Sequence, residues 1–131
     1  MRNKRLHGLH NTKVCDLLIQ NGSGDYNDWI VTTAFYAALH FVHHHLFPIP
    51  INRRNYKNFE SYYNGEYPDS ELPKHTVTRN LVKEYIPEIS SKYNWLFKEC
   101  HNARYIHYNT HGDIANTAKG YLEEIKNMTE D

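Results

Sequence analysis

Residues 101–113 read "HNARYIHYNTHGD" and gather one arginine and three histidines close to a helix end. An arginine presents a planar fork of donors that fits a phosphate. A histidine carries a proton at neutral pH. Together, Arg104 with His107 and His111 suit cleavage of RNA by its own 2′-hydroxyl. Histidine would move a proton while arginine holds the charge of the phosphorane, and no metal is required. His107 is three residues after Arg104 and shares its face if the helix continues. Six residues separate Arg104 from His111. The plainer alternative pairs Arg104 with a carboxylate. On that view the histidines simply favour a helix C-terminus, where the backbone dipole welcomes positive charge.

Three other clusters could do chemistry. His75 and Arg79, one turn apart, would extend an anion site, or else form a solvated face. Arg53, Arg54 and Lys57 interleave with Tyr56, Phe59, Tyr62 and Tyr63. Basic charge beside stackable rings is what single-stranded RNA contact needs. The alternative is a short amphipathic helix whose rings cover the core. His40 and His44, four apart, could bind a metal with His101 or His107 across a bundle. No HExxH or Glu-x-x-His accompanies them, and the run His43-His44-His45 points three ways round a helix. The expectation is therefore no metal and no cofactor.

The bulk composition limits these readings. The chain of 131 residues has one domain's length, residues 1–131, with enough material for one core. Fifteen basic and fifteen acidic side chains cancel, so an anion site has to be local. Cys15 and Cys100 have no metal spacing and fall on apolar helical positions, as reduced core thiols would in a cytoplasm. Arg2, Lys4 and Arg5 resemble a signal-peptide start, but no apolar stretch follows. Residues 29–47 are long enough to span a bilayer, yet His40, His43, His44 and His45 would be costly there. The expectation is no membrane.

The elements that must position these residues are helical. Leu6, Leu9, Val14, Leu17 and Leu18 keep helical spacing until "NGSG". Asp25 can cap a second helix from about Tyr26 to Phe47, with Asp28 in its first turn. That helix has an apolar stripe of Val31, Phe35, Ala38, Val42 and Leu46. A second, more polar stripe holds Trp29, Thr33, Tyr36, His40, His44 and Phe47. Two usable faces mark a central helix. Between Pro48 and Pro73, Asn55 can cap a short helix carrying Tyr56, Phe59 and Tyr63, closed by Gly65. The third helix starts near Lys74 with Val77, Leu81 and Tyr85. Pro87 suits the first turn of the fourth, which carries Ile89, Tyr93, Leu96, Cys100 and Ala103. Gly112 and Asp113 restart the chain into a last helix with Ile114, Ala118, Tyr121, Leu122, Ile125 and Met128, where Gly120 implies close packing. No run alternates with period two over a strand's length. The reading is all-α, an antiparallel bundle of four main helices plus a short extra one.

The stretch "DWIVTTAFYAALHFVHHHL", followed by "KHTVTRNLVKEYIPEISSKYNWLFKECHNARYIHY", resembles the HEPN superfamily, in particular its small stand-alone bacterial-type members. The resemblance runs over roughly residues 7–127. It implies a helical bundle that often forms a homodimer. It also implies a metal-independent endoribonuclease with an Arg-x4–6-His signature, in a toxin–antitoxin or defence system with an antitoxin partner protein. Arg104 matches the motif arginine and His111 its histidine. His75 and Arg79 resemble a His…Arg pair of similar members. Tyr105 stands where active members commonly carry a small polar residue. The alternative the family offers is a non-catalytic module that binds RNA, a nucleotide or a partner protein.

Overall fold

A computed structural model describes residues 3–51, 53–69, 72–106 and 110–130. Among them are six α-helices and one small hairpin. Helix α1 spans Lys4–Asn21, α2 Asn27–Leu46, α3 Phe59–Glu66, α4 Lys74–Tyr85, α5 Ser90–Tyr105 and α6 Gly112–Thr129. The chain is all-α, as the periodicity predicts.

Helix α2 is the central element and packs against α1, α5 and α6. Its apolar stripe is the core: Val31, Ala38 and Val42 are fully buried, with Phe35 and Leu46 nearly so. Around it close Cys15 from α1, Val77 and Leu81 from α4, Tyr93, Leu96 and Cys100 from α5, and Ala118, Leu122 and Ile125 from α6. Both cysteines are free and buried. Among the described residues no helix is long and apolar enough to cross a membrane.

Helix ends follow local chemistry, not always at the residues the sequence suggests. Asn3 caps α1, its side chain accepting from the Arg5 and Leu6 amides. The α1 helix stops at "NGSG", where Ser23 and Gly24 take left-handed φ values of 50° and 82°. Asp25 does not cap α2; the chain enters that helix through Tyr26 with no side-chain cap bond. Pro87 opens a 3-10 turn, Pro87–Ile89, that leads directly into α5.

The segment after Pro48 differs most from expectation. Ile49–Ile51 (β1) pairs antiparallel with Arg54–Tyr56 (β2). Three-residue strands are too short to show a period of two. Tyr56 therefore belongs to a strand, and Asn58, not Asn55, caps α3 through the Ser61 amide at 2.8 Å. Gly65 lets the Tyr56 ring lie against α3, since a Cβ there would sit 2.8 Å from it. Gly120 overturns the expectation of close packing: nothing lies within 4 Å of where its Cβ would be. The close approach is at Gly8 instead, whose absent Cβ leaves room for the Phe41 ring of α2.

Candidate functional site

Arg104 lies in the last turn of α5. Its Nη1 donates a hydrogen bond of 2.7 Å to the Tyr36 hydroxyl of α2. The guanidinium stands 5.4 Å from the Tyr105 ring centre, within cation–π range. The ion pairs among the described residues join Lys4 to Glu60, Arg5 to Glu130, Lys92 to Glu124, and Lys119 to Asp16 and Glu123. None involves Arg104. The expected alternative, a structural ion pair, is therefore not what holds this arginine. Beside it is a cavity of about 150 Å³, walled by Tyr36, His75, Phe97, His101 and Tyr105 over the buried Phe35 and Cys100.

Helix α4 brings His75 and Arg79 to the same face, one turn apart. Both rest on Phe97 of α5: the His75 ring lies 5.5 Å from its centre and the Arg79 guanidinium 4.9 Å. Arg79 Nε donates to Asn94 Oδ1 at 3.0 Å. Burial lowers the His75 pKa below its ordinary value, so the ring is neutral at pH 7. A second depression, of about 440 Å³, is lined by Arg79, Ser91, Asn94, Trp95, Phe97, Lys98 and His101. It shares Phe97 and His101 with the first. Among the described residues no Asp or Glu lines either depression. A chain of zero net charge thus brings three cations, Arg79, Lys98 and Arg104, to these two depressions.

His111 does not join them. It is exposed and sits just before α6, where its carbonyl accepts the Ile114 and Ala115 amides at 3.1 and 3.2 Å. It does not line the cavity beside Arg104. Its spacing from Arg104 carries it past the end of α5 to the start of the next helix. His107 and Tyr108 lie outside the described residues. Arg53 and Arg54 are exposed on the hairpin and line neither depression. Of the rings meant to accompany them, Tyr56, Phe59 and Tyr62 are buried in the core, and Tyr63 is half-buried against it. The three buried rings are not free to stack on bases, and the core-covering alternative describes them.

The α2 histidines have separate environments. His43 Nε2 lies 3.0 Å from Thr78 Oγ1, and its ring stacks on Phe59 with centres 4.4 Å apart. Burial, then Lys4, pushes its pKa down to about 3. His40 is lowered to about 4 by burial, Lys4 and His7. Its Nδ1 is buried without a hydrogen-bond partner. Among the described residues no group of three or more His, Cys, Asp or Glu side chains could hold a metal ion.

Sequence reasoning missed Tyr36, Asn94, Trp95 and Phe97 as parts of this site. Tyr36 was visible on the polar stripe of α2, beside His40. The roles of the other three depend on how α4 docks on α5, which no local pattern encodes. Comparisons of the chain with protein-family models, curated proteins and solved structures find no match.

Proposed function

We propose that the protein is a HEPN-type RNA-processing protein in which Arg104 holds a phosphate of the RNA backbone. One observation carries this: Arg104 is anchored by a tyrosine hydroxyl, not a carboxylate, at a cavity that no acidic side chain among the described residues lines. An arginine held this way keeps its charge for an external anion. The short-motif resemblance of residues 28–46 and 74–108 supplies the family.

As a metal-independent endoribonuclease, the protein would use histidines that line the cavity with Arg104. These are His75 and His101, not His111. Neutral His75 is in the state in which a general base accepts a proton from a 2′-hydroxyl. The non-catalytic reading, an RNA- or nucleotide-binding module, needs only the three cations. It is favoured by Tyr105, whose ring lies against the Arg104 guanidinium and narrows the room for a reacting phosphate.

A homodimer through the α5 end is part of this proposal, as is a toxin–antitoxin or defence role with an antitoxin partner protein. Tyr105 and Ile106 are 69% and 59% exposed there, and such apolar surface suits an interface. Two buried free thiols fit a cytoplasmic location.

Fluorescence anisotropy with a short labelled single-stranded RNA tests the reading, together with a cleavage assay in excess chelator. Arg104→Ala should weaken binding tenfold or more, and abolish any cleavage, with an unchanged far-UV dichroism spectrum. Equal RNA behaviour of variant and parent would remove Arg104 from the site.

A further inference from the structure

We infer that the depression beside Arg79 is a nucleobase subsite, so that the ligand is an unpaired nucleotide with its base against Arg79 and Trp95 and its phosphate at Arg104. The inference rests on the phosphate reading of Arg104 and adds what lies next to it.

The depression has the volume of a small-ligand site, about 440 Å³. Its walls are planar. Phe97 supports the Arg79 guanidinium at 4.9 Å, and the bond from Nε to Asn94 Oδ1 fixes its direction. An arginine backed by a ring and tethered at Nε is a flat, rigid shelf, and unpaired bases stack on guanidinium planes as they do on aromatic rings. Trp95 is braced edge-to-face by Tyr121 at 5.1 Å and 81°. The remaining lining is polar: Asn94 and the exposed Ser91 can meet hydrogen-bonding groups on a base edge, and Lys98 adds charge at the rim.

The two depressions adjoin through Phe97 and His101. One offers flat surfaces and neutral polar groups; the other offers Arg104. That order, stacking surface then cation, matches the order of base then phosphate in a nucleotide. Duplex RNA keeps its bases paired and stacked inward, so it cannot supply a base to such a site. The ligand is either one unit of a single strand or a free nucleotide, which share this chemistry.

The test reads Trp95 fluorescence in a Trp29→Phe background, since the chain has two tryptophans. Three probes are titrated: a short single-stranded oligoribonucleotide, an abasic strand of equal length, and a nucleoside monophosphate. The base-bearing strand should quench Trp95 and bind at least tenfold more tightly than the abasic one. Arg79→Lys, which keeps charge but loses the plane, should remove most of that difference. Tighter binding with strand length supports the subsite with a strand as ligand. Equal binding of the monophosphate supports it with a free nucleotide. Equal affinity for base-bearing and abasic strands would overturn the subsite while leaving Arg104 as a phosphate group. That comparison uses no Arg79 variant, so it holds even if Arg79→Lys fails to fold. No binding of any probe would overturn both readings.

Discussion

The Tyr36 hydroxyl accepts a 2.7 Å hydrogen bond from Arg104 although the two lie 68 positions apart in sequence. The bond ties the end of α5 to the middle of α2 and fixes the guanidinium at the cavity mouth. Tyr36→Phe keeps the ring beside Arg104 and removes only the acceptor. RNA affinity should fall about three- to tenfold, since one hydrogen bond to a charged group is involved. The melting temperature should move little, because Arg104 is exposed. Unchanged affinity would show that the bond does not position the arginine for RNA.

His75 and His111 make opposite predictions. His75 lines the Arg104 cavity and His111 does not. In the anisotropy assay His75→Ala should weaken binding severalfold, and in a cleavage-competent preparation lower the rate a hundredfold or more, the ordinary scale of a lost general base. His111→Ala should leave both within about twofold. The reverse pattern would restore the spacing in sequence over the spacing in the fold.

Much of this was legible before any coordinates. The α2 stripe of Val31, Phe35, Ala38, Val42 and Leu46 is the buried core, because a helical period forces those positions onto one side. Arg104, His75 and Arg79 stood out by residue type as candidates for an anion site. What stayed hidden was their grouping. His75 and Arg104 line one cavity because α4 packs on α5, with His75 against Phe97, and no local signal sets that. His111 was named for its spacing from Arg104, but α5 ends at Tyr105 and α6 starts at Gly112, and it does not line the cavity beside Arg104. The interleaved rings of residues 56–63 left two readings open, because an aromatic that stacks on a base and one that fills a core look alike in sequence; Tyr56, Phe59 and Tyr62 fill the core.

Two glycines on helices should respond oppositely to alanine. At Gly8 a Cβ would meet Phe41 ring carbons at 2.7 to 2.9 Å. Overpacking of about 1–3 kcal/mol then exceeds the helix-propensity gain of about 1 kcal/mol. Gly8→Ala should lower the urea midpoint. Gly120 is exposed and its Cβ would meet nothing within 4 Å, so Gly120→Ala should raise stability by about 0.5–1 kcal/mol. A stabilising Gly8→Ala would mean that α1 shifts readily on α2.

The proposed homodimer is checked by sedimentation. The parent at micromolar concentration should have twice the 15.6 kDa chain mass. Tyr105→Glu with Ile106→Glu places charge on the exposed α5 end and should shift it towards monomer while it stays helical. A monomeric parent would remove the dimer from the proposal.

His43 should make the fold sensitive to mild acid. Its ring is enclosed by Phe47 and Phe59, bonded to Thr78, and near Lys4, Glu60, His40 and His75. Burial places its folded pKa at about 3, against about 6.5 in an unfolded chain. Between those values the unfolded chain takes up a proton that the fold refuses. The stability is therefore complete above pH 6.5 and is lost as pH falls towards 3. His43 alone gives a slope of about 1.4 kcal/mol per pH unit below about pH 6. His40, lowered to about 4, acts in the same direction, weakened by its partial exposure. Urea midpoints between pH 7.5 and 5 separate the histidines from the carboxylates, which stay largely ionised there. His43→Gln keeps a polar group beside Thr78 but cannot take up the proton. It should flatten the slope over pH 5–6.5 at some cost in stability at pH 7.5. An equal slope in variant and parent would mean that His43 charges within the fold and is not the source of acid sensitivity.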